Sequence, residues 1–338
     1  MSKLKFELLQ DPPTGNSQSF DTHTNDIFHT REFHEIFVGS KSADAVGFIV
    51  TEDQHTIGYF NAVKMKATRF LPSRMQSRYT IFASPLLHDS TQKDKFYEFM
   101  LPEIARRTKK ECLFVEWRNS EDPAEYASIF EKYGWTYLPY LNYLINLNRN
   151  IDEIWNSIDK EARRNINKAK SKGVSTRTFD VTEMETSYQL ISDLYEQKGL
   201  PLFDKMVFEK AMHSLIPKEM MRATFAVYQG KIIGTRLALL HNGTVFDWYA
   251  ASDRTYRNCY PNEALAWDMI EYRAKNGYKV FDFGGAGIKG KTYGPAKFKE
   301  KFKGQLVEYG RFQKTFRPRL FNFLNYLYEK RKELVGSK

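Results

Sequence analysis

Two stretches of this sequence follow one plan at an interval of roughly 170 residues. The first reads Val46-Gly47-Phe48-Ile49-Val50, a polar turn over 51–55, then Thr56-Ile57-Gly58-Tyr59-Phe60. The second reads Ala223 to Tyr228, the turn Gln229-Gly230, then Lys231-Ile232-Ile233-Gly234-Thr235. Each is an apolar strand, a turn and a second strand opened by Ile-Gly, and Gly230 supplies the positive φ of a tight hairpin. Further on, Cys112–Trp117 followed by Phe130-Glu131-Lys132-Tyr133-Gly134-Trp135 is matched by 279–283 followed by 298–304. A period of domain size means duplication rather than a solenoid. The expectation is therefore an α/β (α+β) chain of two similar domains, 1–150 and 151–316, with strand 222–228 paired to strand 231–241. A helix over 317–338 packs back on them through Leu320, Phe323, Leu324 and Leu327.

Between the halves, Ile151, Ile154, Trp155, Ile158, Ala162, Ile166 and Ala169 step by three or four. This predicts one amphipathic helix to Lys172, ended at Gly173. Its other side carries Lys160, Arg163, Arg164, Lys168, Lys170 and Lys172. Pro261 opens a second helix running to Gly277. Composition supports packed cores, since aromatics make up 15% of the 338 residues. Cys112 and Cys259 have no close neighbours of metal-ligand type, so neither a disulfide framework nor a metal site is expected. Residues 1–13 lack the apolar core of a secretory signal, and no stretch approaches a membrane span. A soluble cytoplasmic protein is expected, with peripheral contact at the inner face of the membrane left open. The net charge of +10 suits an anionic partner such as tRNA, a nucleotide sugar or an acidic membrane surface, or simply a lysine-rich surface.

Gly285-Ala286-Gly287-Ile288-Lys289-Gly290-Lys291-Thr292 fits the phosphate-loop pattern. The reading fails because Gly294-Pro295 interrupts the helix that must begin at Lys291-Thr292. Too little chain follows for the rest of a nucleotide-hydrolase sheet. Asp282-Phe283-Gly284 resembles a kinase tripeptide, but no His-Arg-Asp loop precedes it.

What remains is an ordered set: Trp155 and the basic segment Arg163-Arg164-Asn165-Ile166-Asn167-Lys168-Ala169, the hairpin at Gly230–Gly234, and Asp247-Trp248-Tyr249-Ala250-Ala251-Ser252. Phe281-Asp282-Phe283-Gly284-Gly285 and Phe298-Lys299 with Phe302 and Gly304 complete it. In this order the set resembles the FemAB family of peptidoglycan-branching enzymes over most of 151–316, and more weakly over 28–147. The resemblance implies two acetyltransferase-like (GNAT-like) domains and transfer of an acyl group onto an amine. In the best-known members, aminoacyl-tRNA donates to a nucleotide- or lipid-linked muropeptide. Others are thought to use a CoA thioester on polysaccharide or small amines.

The resemblance places Lys299, beside Phe298, at the transferring carbonyl, with Asp282 anchoring the loop or orienting the amine. Trp248, Tyr249 and Phe302 fall around the substrate, and Lys205 where a nucleotide diphosphate is held. Arg163, Arg164 and Lys168 form a loosely shared face able to meet phosphates. Plainer readings stand beside these: a solvated lysine run over Lys297, Lys299, Lys301 and Lys303, core aromatics on a strand, and a solvated helix face.

A standard CoA site needs a glycine-bearing turn at a helix N-terminus. Asp253-Arg254-Thr255-Tyr256-Arg257-Asn258-Cys259-Tyr260 and Ser84-Pro85-Leu86-Leu87 contain none. An aminoacyl-tRNA donor is therefore expected and acyl-CoA is the alternative, with no bound cofactor in either case. The coiled-coil arm of peptidoglycan-type members is missing, and Phe33 and Phe37 stand where those members place Trp and Lys, which leaves the acceptor open. A non-catalytic pair of domains binding peptide or glycan is the remaining alternative.

Overall fold

The structure, a computed structural model, describes residues 4–9, 26–66, 75, 77–291 and 293–336. Fifteen strands among these build two sheets. In chain order they are β1 (Leu4–Leu9), β2 (Ala43–Glu52), β3 (His55–Met65), β4 (Arg78–Ile81), β5 (Leu86–Leu87), β6 (Phe114–Arg118) and β7 (Thr136–Leu138). There follow β8 (Tyr140–Asn146), β9 (Ser175–Thr178), β10 (Met221–Tyr228), β11 (Lys231–His241), β12 (Thr244–Ser252), β13 (Val280–Ile288), β14 (Gln305–Val307) and β15 (Arg311–Thr315). The first sheet runs β1-β2-β3-β4-β6-β15-β7, with β5 on β3, and the second β14-β8-β13-β12-β11-β10-β9. Read from β9 backwards, the second order repeats the first position by position. In each sheet one parallel pair, β4 with β6 and β12 with β13, interrupts antiparallel ladders.

The tight turns explain the hairpins. Asp53-Gln54, Gln229-Gly230 and Asn242-Gly243 each place two successive residues at positive φ. That is the type I′ geometry whose twist matches paired strands. The expected pairing of β10 with β11 is present, Met221 facing Leu239 through to Tyr228 facing Lys231.

The chain divides into two compact units, but not where the sequence suggested. The first takes residues to Pro139 together with Glu308–Arg331, the second Tyr140–Val307. Boundaries at 150 and 316 assume that each repeat closes its own sheet. Instead β8 pairs with β13 and β14, and β15 pairs with β6 and β7. The last strand of each repeat is thus built into the other unit's sheet.

The first unit's core is aromatic: Trp117, Phe60, Phe96, Tyr97 and Phe130 are fully buried. Phe312 of β15 stacks on Phe130 at 4.1 Å. Gly58 is required there, since a Cβ would stand 2.4 Å from the Phe96 ring. In the second unit Ala162, Ile166, Ala266, Met269, Phe281 and Phe283 share one cluster. The predicted single helix 151–172 is two, Ile151–Ser157 and Lys160–Ser171. Ile158 is extended, and Asp159 caps the second helix through the Glu161 amide. Carboxylate caps of this kind favour a fresh start over continuation.

The last helix, Pro318–Gly336, docks differently from the expectation. Phe321 meets Phe114 edge-on at 5.3 Å. Leu320 and Leu324 are half-buried, while Phe323 and Leu327 face outward, 58% and 46% exposed. The predicted apolar contact therefore turns on a residue the periodicity did not select.

Truncating Phe312 to Ala removes a fully buried ring from a unit to which it is remote in sequence. It should cost about 3–5 kcal/mol, read as a lowered denaturation midpoint of the first unit.

Candidate functional site

The β12–β13 ladder is parallel at three positions, Thr244 with Val280, Val245 with Phe281 and Phe246 with Asp282. Beyond them the strands part. On the β12 side the register with β11 slips between Leu237 and Ala238, so that Trp248 bulges. On the β13 side the register with β8 slips on either side of Gly285. Gly284 and Gly287 sit at φ +67° and +88°, a backbone that side chains with a Cβ avoid. The result is a fork along which the backbone of Phe283–Gly285 has left its parallel partner.

Four ionisable groups meet there. Arg236, 2% exposed, donates through Nη1 to Asp247 Oδ2 at 2.9 Å, and the Asp247 side chain is 9% exposed. The other halves of both groups, Arg236 Nε and Asp247 Oδ1, are buried without a hydrogen-bond partner. Asp282 Oδ1 accepts from the Gly284 amide at 2.7 Å and from Asn142 Nδ2 at 3.5 Å. Burial pushes its carboxyl up to about 6, against the pull of that amide and of Lys299. Lys299, on the helix Gly294–Glu300, donates through Nζ to the Phe283 carbonyl and, at 2.8 Å, to that of Gly285. Burial lowers the ammonium's pKa, while Asp247 and Asp282 oppose that shift.

An ammonium has three donors. Two are committed to the carbonyls of β13, which leaves one N–H for an oxygen entering the fork. Within the lysine run, Lys301 pairs with Glu161 at 2.8 Å and Lys303 with Asp159 at 3.7 Å, whereas Lys299 turns to the carbonyls of β13.

The other expected residues divide. Trp248 is half-buried at its bulge, stacked on Phe208 at 5.5 Å. Tyr249 packs against Phe208 and Tyr195 at 4.9 and 5.6 Å. Tyr249 is 9% exposed, so it is chiefly a wall of the core. Phe302, 1% exposed, lies in the core cluster against Phe283 and Phe298, and its expected contact with substrate is corrected. Phe298 is partly buried against the same cluster. These rings set the position of the helix that carries Lys299. Lys205 is ion-paired to Glu185 and Glu209, so its charge is already answered. Arg163, Arg164 and Lys168 line an open groove of about 570 Å³ with Trp155, Lys160, Asn167 and Ser171. Trp155 meets Trp267 at 4.7 Å.

Arg236 and Asp247 were not identified as a pair from sequence. The available signal was a charge in the middle of the apolar strand 232–240, since a buried arginine demands a partner.

The phosphate-loop pattern is built as strand over Gly285–Ile288, so its glycines do not wrap a phosphate; Thr292 lies outside the described residues. A helix follows only from Gly294, with Pro295 in its first turn, where proline is tolerated; Lys291 lies before it and does not open a helix. Among the described residues no group of His, Cys, Asp and Glu could hold a metal ion. Where a CoA pyrophosphate is held in typical acetyltransferases, the helix Pro261–Lys275 begins with left-handed Tyr260 and a proline without an N–H. Its first-turn Glu263 accepts from Asn165 Nδ2 at 3.2 Å. A carboxylate and a missing donor weaken an anion site there.

Residues 156–300 match the family model described as an acetyltransferase (GNAT) domain. With the two similar sheets, this defines the fold as two tandem GNAT-like units, the second of which carries the acetyltransferase-domain match. The fold is similar to that of FemX: the crystal structure of FemX superposes with a TM-score of 0.67 at 14% identity, covering 89% of this chain and 95% of that one. A tandem GNAT protein from the clavulanic acid biosynthesis pathway gives 0.55 at 11% identity, over 93% and 99% of the two chains. The structure of L-PGS from Bacillus licheniformis gives 0.53 at 13%, over 82% and 86%. No curated protein sequence matches the chain.

The raised Asp282 has a consequence for stability. Between about pH 4 and 6 the folded protein holds a proton that the unfolded chain has lost, so this group's contribution falls as pH rises through that window. Asp282→Asn keeps an oxygen for the Gly284 amide and lacks the titration. Relative to the parent, its unfolding free energy should rise by about 2 kcal/mol from pH 4 to 7, after discounting for partial solvent contact. Urea unfolding of both proteins at the two pH values checks this.

Proposed function

We propose that the fork of the second unit transfers an aminoacyl group from aminoacyl-tRNA to an amine of a peptidoglycan precursor or a similar cell-envelope acceptor. The observation that carries this is Lys299, its ammonium held on two backbone carbonyls with one donor left inside the opened ladder. An activated ester meeting an amine needs placement and charge stabilisation at the developing oxyanion. A preorganised, poorly hydrated ammonium supplies the second.

The donor assignment is supported by the helix Lys160–Ser171. Lys160, Arg164 and Lys168 recur every four residues, joined by Lys172 just beyond its end. Like charges at that spacing repel and weaken a helix. Lys160, Arg164 and Lys168 have no ion pair among the described residues, and such a stripe suits a polyanion. The weak anion site at Pro261 points the same way. N-acylation from acyl-CoA is the second reading, favoured by the acetyltransferase-domain match over 156–300.

Lys299→Met should lower the single-turnover rate at saturating donor by roughly 100- to 1000-fold. Lys301→Met and Lys303→Met, which lose only surface ion pairs, should change it little. Equal, small effects at all three positions would overturn the role of Lys299. Binding of charged tRNA and of acyl-CoA, measured across salt concentrations, separates the two donors: tRNA affinity falls steeply with salt.

A further inference from the structure

We propose that the C-terminal helix seats this protein on an anionic bilayer surface. The helix is fixed at its start. Arg317 donates to the carbonyls of Cys112 and Lys109 at 3.0 and 3.2 Å, and Phe321 packs on Phe114. Beyond this first turn one exposed stripe of the helix is apolar, with the exposed Asn322 and Asn325 beside it. Phe323, Tyr326 and Leu327 are 58%, 59% and 46% exposed, among the most exposed large apolar side chains described. Their spacing, three and four residues apart, puts them on one face.

Charge flanks the same stripe. Arg319 lies four residues before Phe323, and Lys330 four after Tyr326, so both fall on that face. Across Pro318–Gly336 the sequence carries four cations, Arg319, Lys330, Arg331 and Lys332, against two carboxylates, Glu329 and Glu333. Aromatic and aliphatic side chains between Lys and Arg are the composition of a helix lying in the headgroup region. There rings insert, long cationic stems reach the phosphates, and each cation adds attraction to an acidic leaflet. The helix lies on the surface rather than crossing it: among the described residues no helix is long and apolar enough to span a bilayer.

A second copy of this chain is the less favoured occupant. A twofold interface sets a patch against itself, and here that would oppose two cationic stripes. The inference does not rest on the transfer reading, because vesicle binding is measured without donor or acceptor and either can fail alone.

The test is flotation of the full chain with vesicles of phosphatidylglycerol and phosphatidylcholine, against vesicles of phosphatidylcholine alone. The expected result is binding to the acidic vesicles, weakened by salt. The double substitution Phe323→Ser, Leu327→Ser should reduce it roughly tenfold or more with the melting temperature unchanged, since both residues face solvent. Lys330→Glu should also weaken it by about tenfold or more. Three outcomes overturn the proposal: equal partitioning to both vesicle types, binding untouched by the double substitution, or a dimer in solution that the double substitution dissolves.

Discussion

The parallel ladder between β12 and β13 holds for three register positions and then gives way, and buried charged groups of the second unit gather at that parting. Two parallel strands that stay paired would satisfy each other's amides and carbonyls and present a closed surface. Here bulges on both sides draw them apart. The carbonyls of Phe283 and Gly285 turn instead to an ammonium. Glycine at 284 and 287 makes the path possible. A β13 that remained in register would leave Lys299 no carbonyls to hold and no gap to face.

Charge at the fork is held at close quarters. Removing one partner of a buried ion pair typically costs about 3–5 kcal/mol, although the intact pair adds little net stability. Arg236 and Asp247 therefore act as a fixed frame more than as a source of stability. Asp247 also favours the charged form of Lys299, while Arg236 and burial disfavour it. Asp282 is pushed the opposite way by burial, up to about 6. A fork with one restrained cation and one reluctant anion can respond to an incoming charge with little rearrangement.

Much of this was legible in the residues. The hairpin at Gln229-Gly230 announces itself by composition, and the duplication by the recurrence of strand, turn and Ile-Gly. Lys299 could be singled out, although its neighbours made a solvated run equally natural; only the direction of the side chain separates them, and a helix of about two turns does not encode that in a pattern. Phe298 and Phe302 looked like site residues because they flank Lys299, yet they are the core that aims it. The Arg236–Asp247 pair needed two strands and a bulge to meet, which no local spacing reveals. The partners of β8 and β15 were equally hidden. Short alternating strands state that they will pair, and leave open with what.

That exchange of final strands reaches into how the molecule is made. As the chain leaves the ribosome, the segments through β7 emerge long before β15, the strand that lies between β6 and β7 in the finished sheet. The first unit must wait with β6 and β7 unjoined until almost the whole protein has been synthesised. The second unit receives β8 before any of its other strands. Vectorial synthesis ordinarily lets an N-terminal domain finish first. Here the earlier half is the one completed last, and its open edge is a liability carried for most of translation.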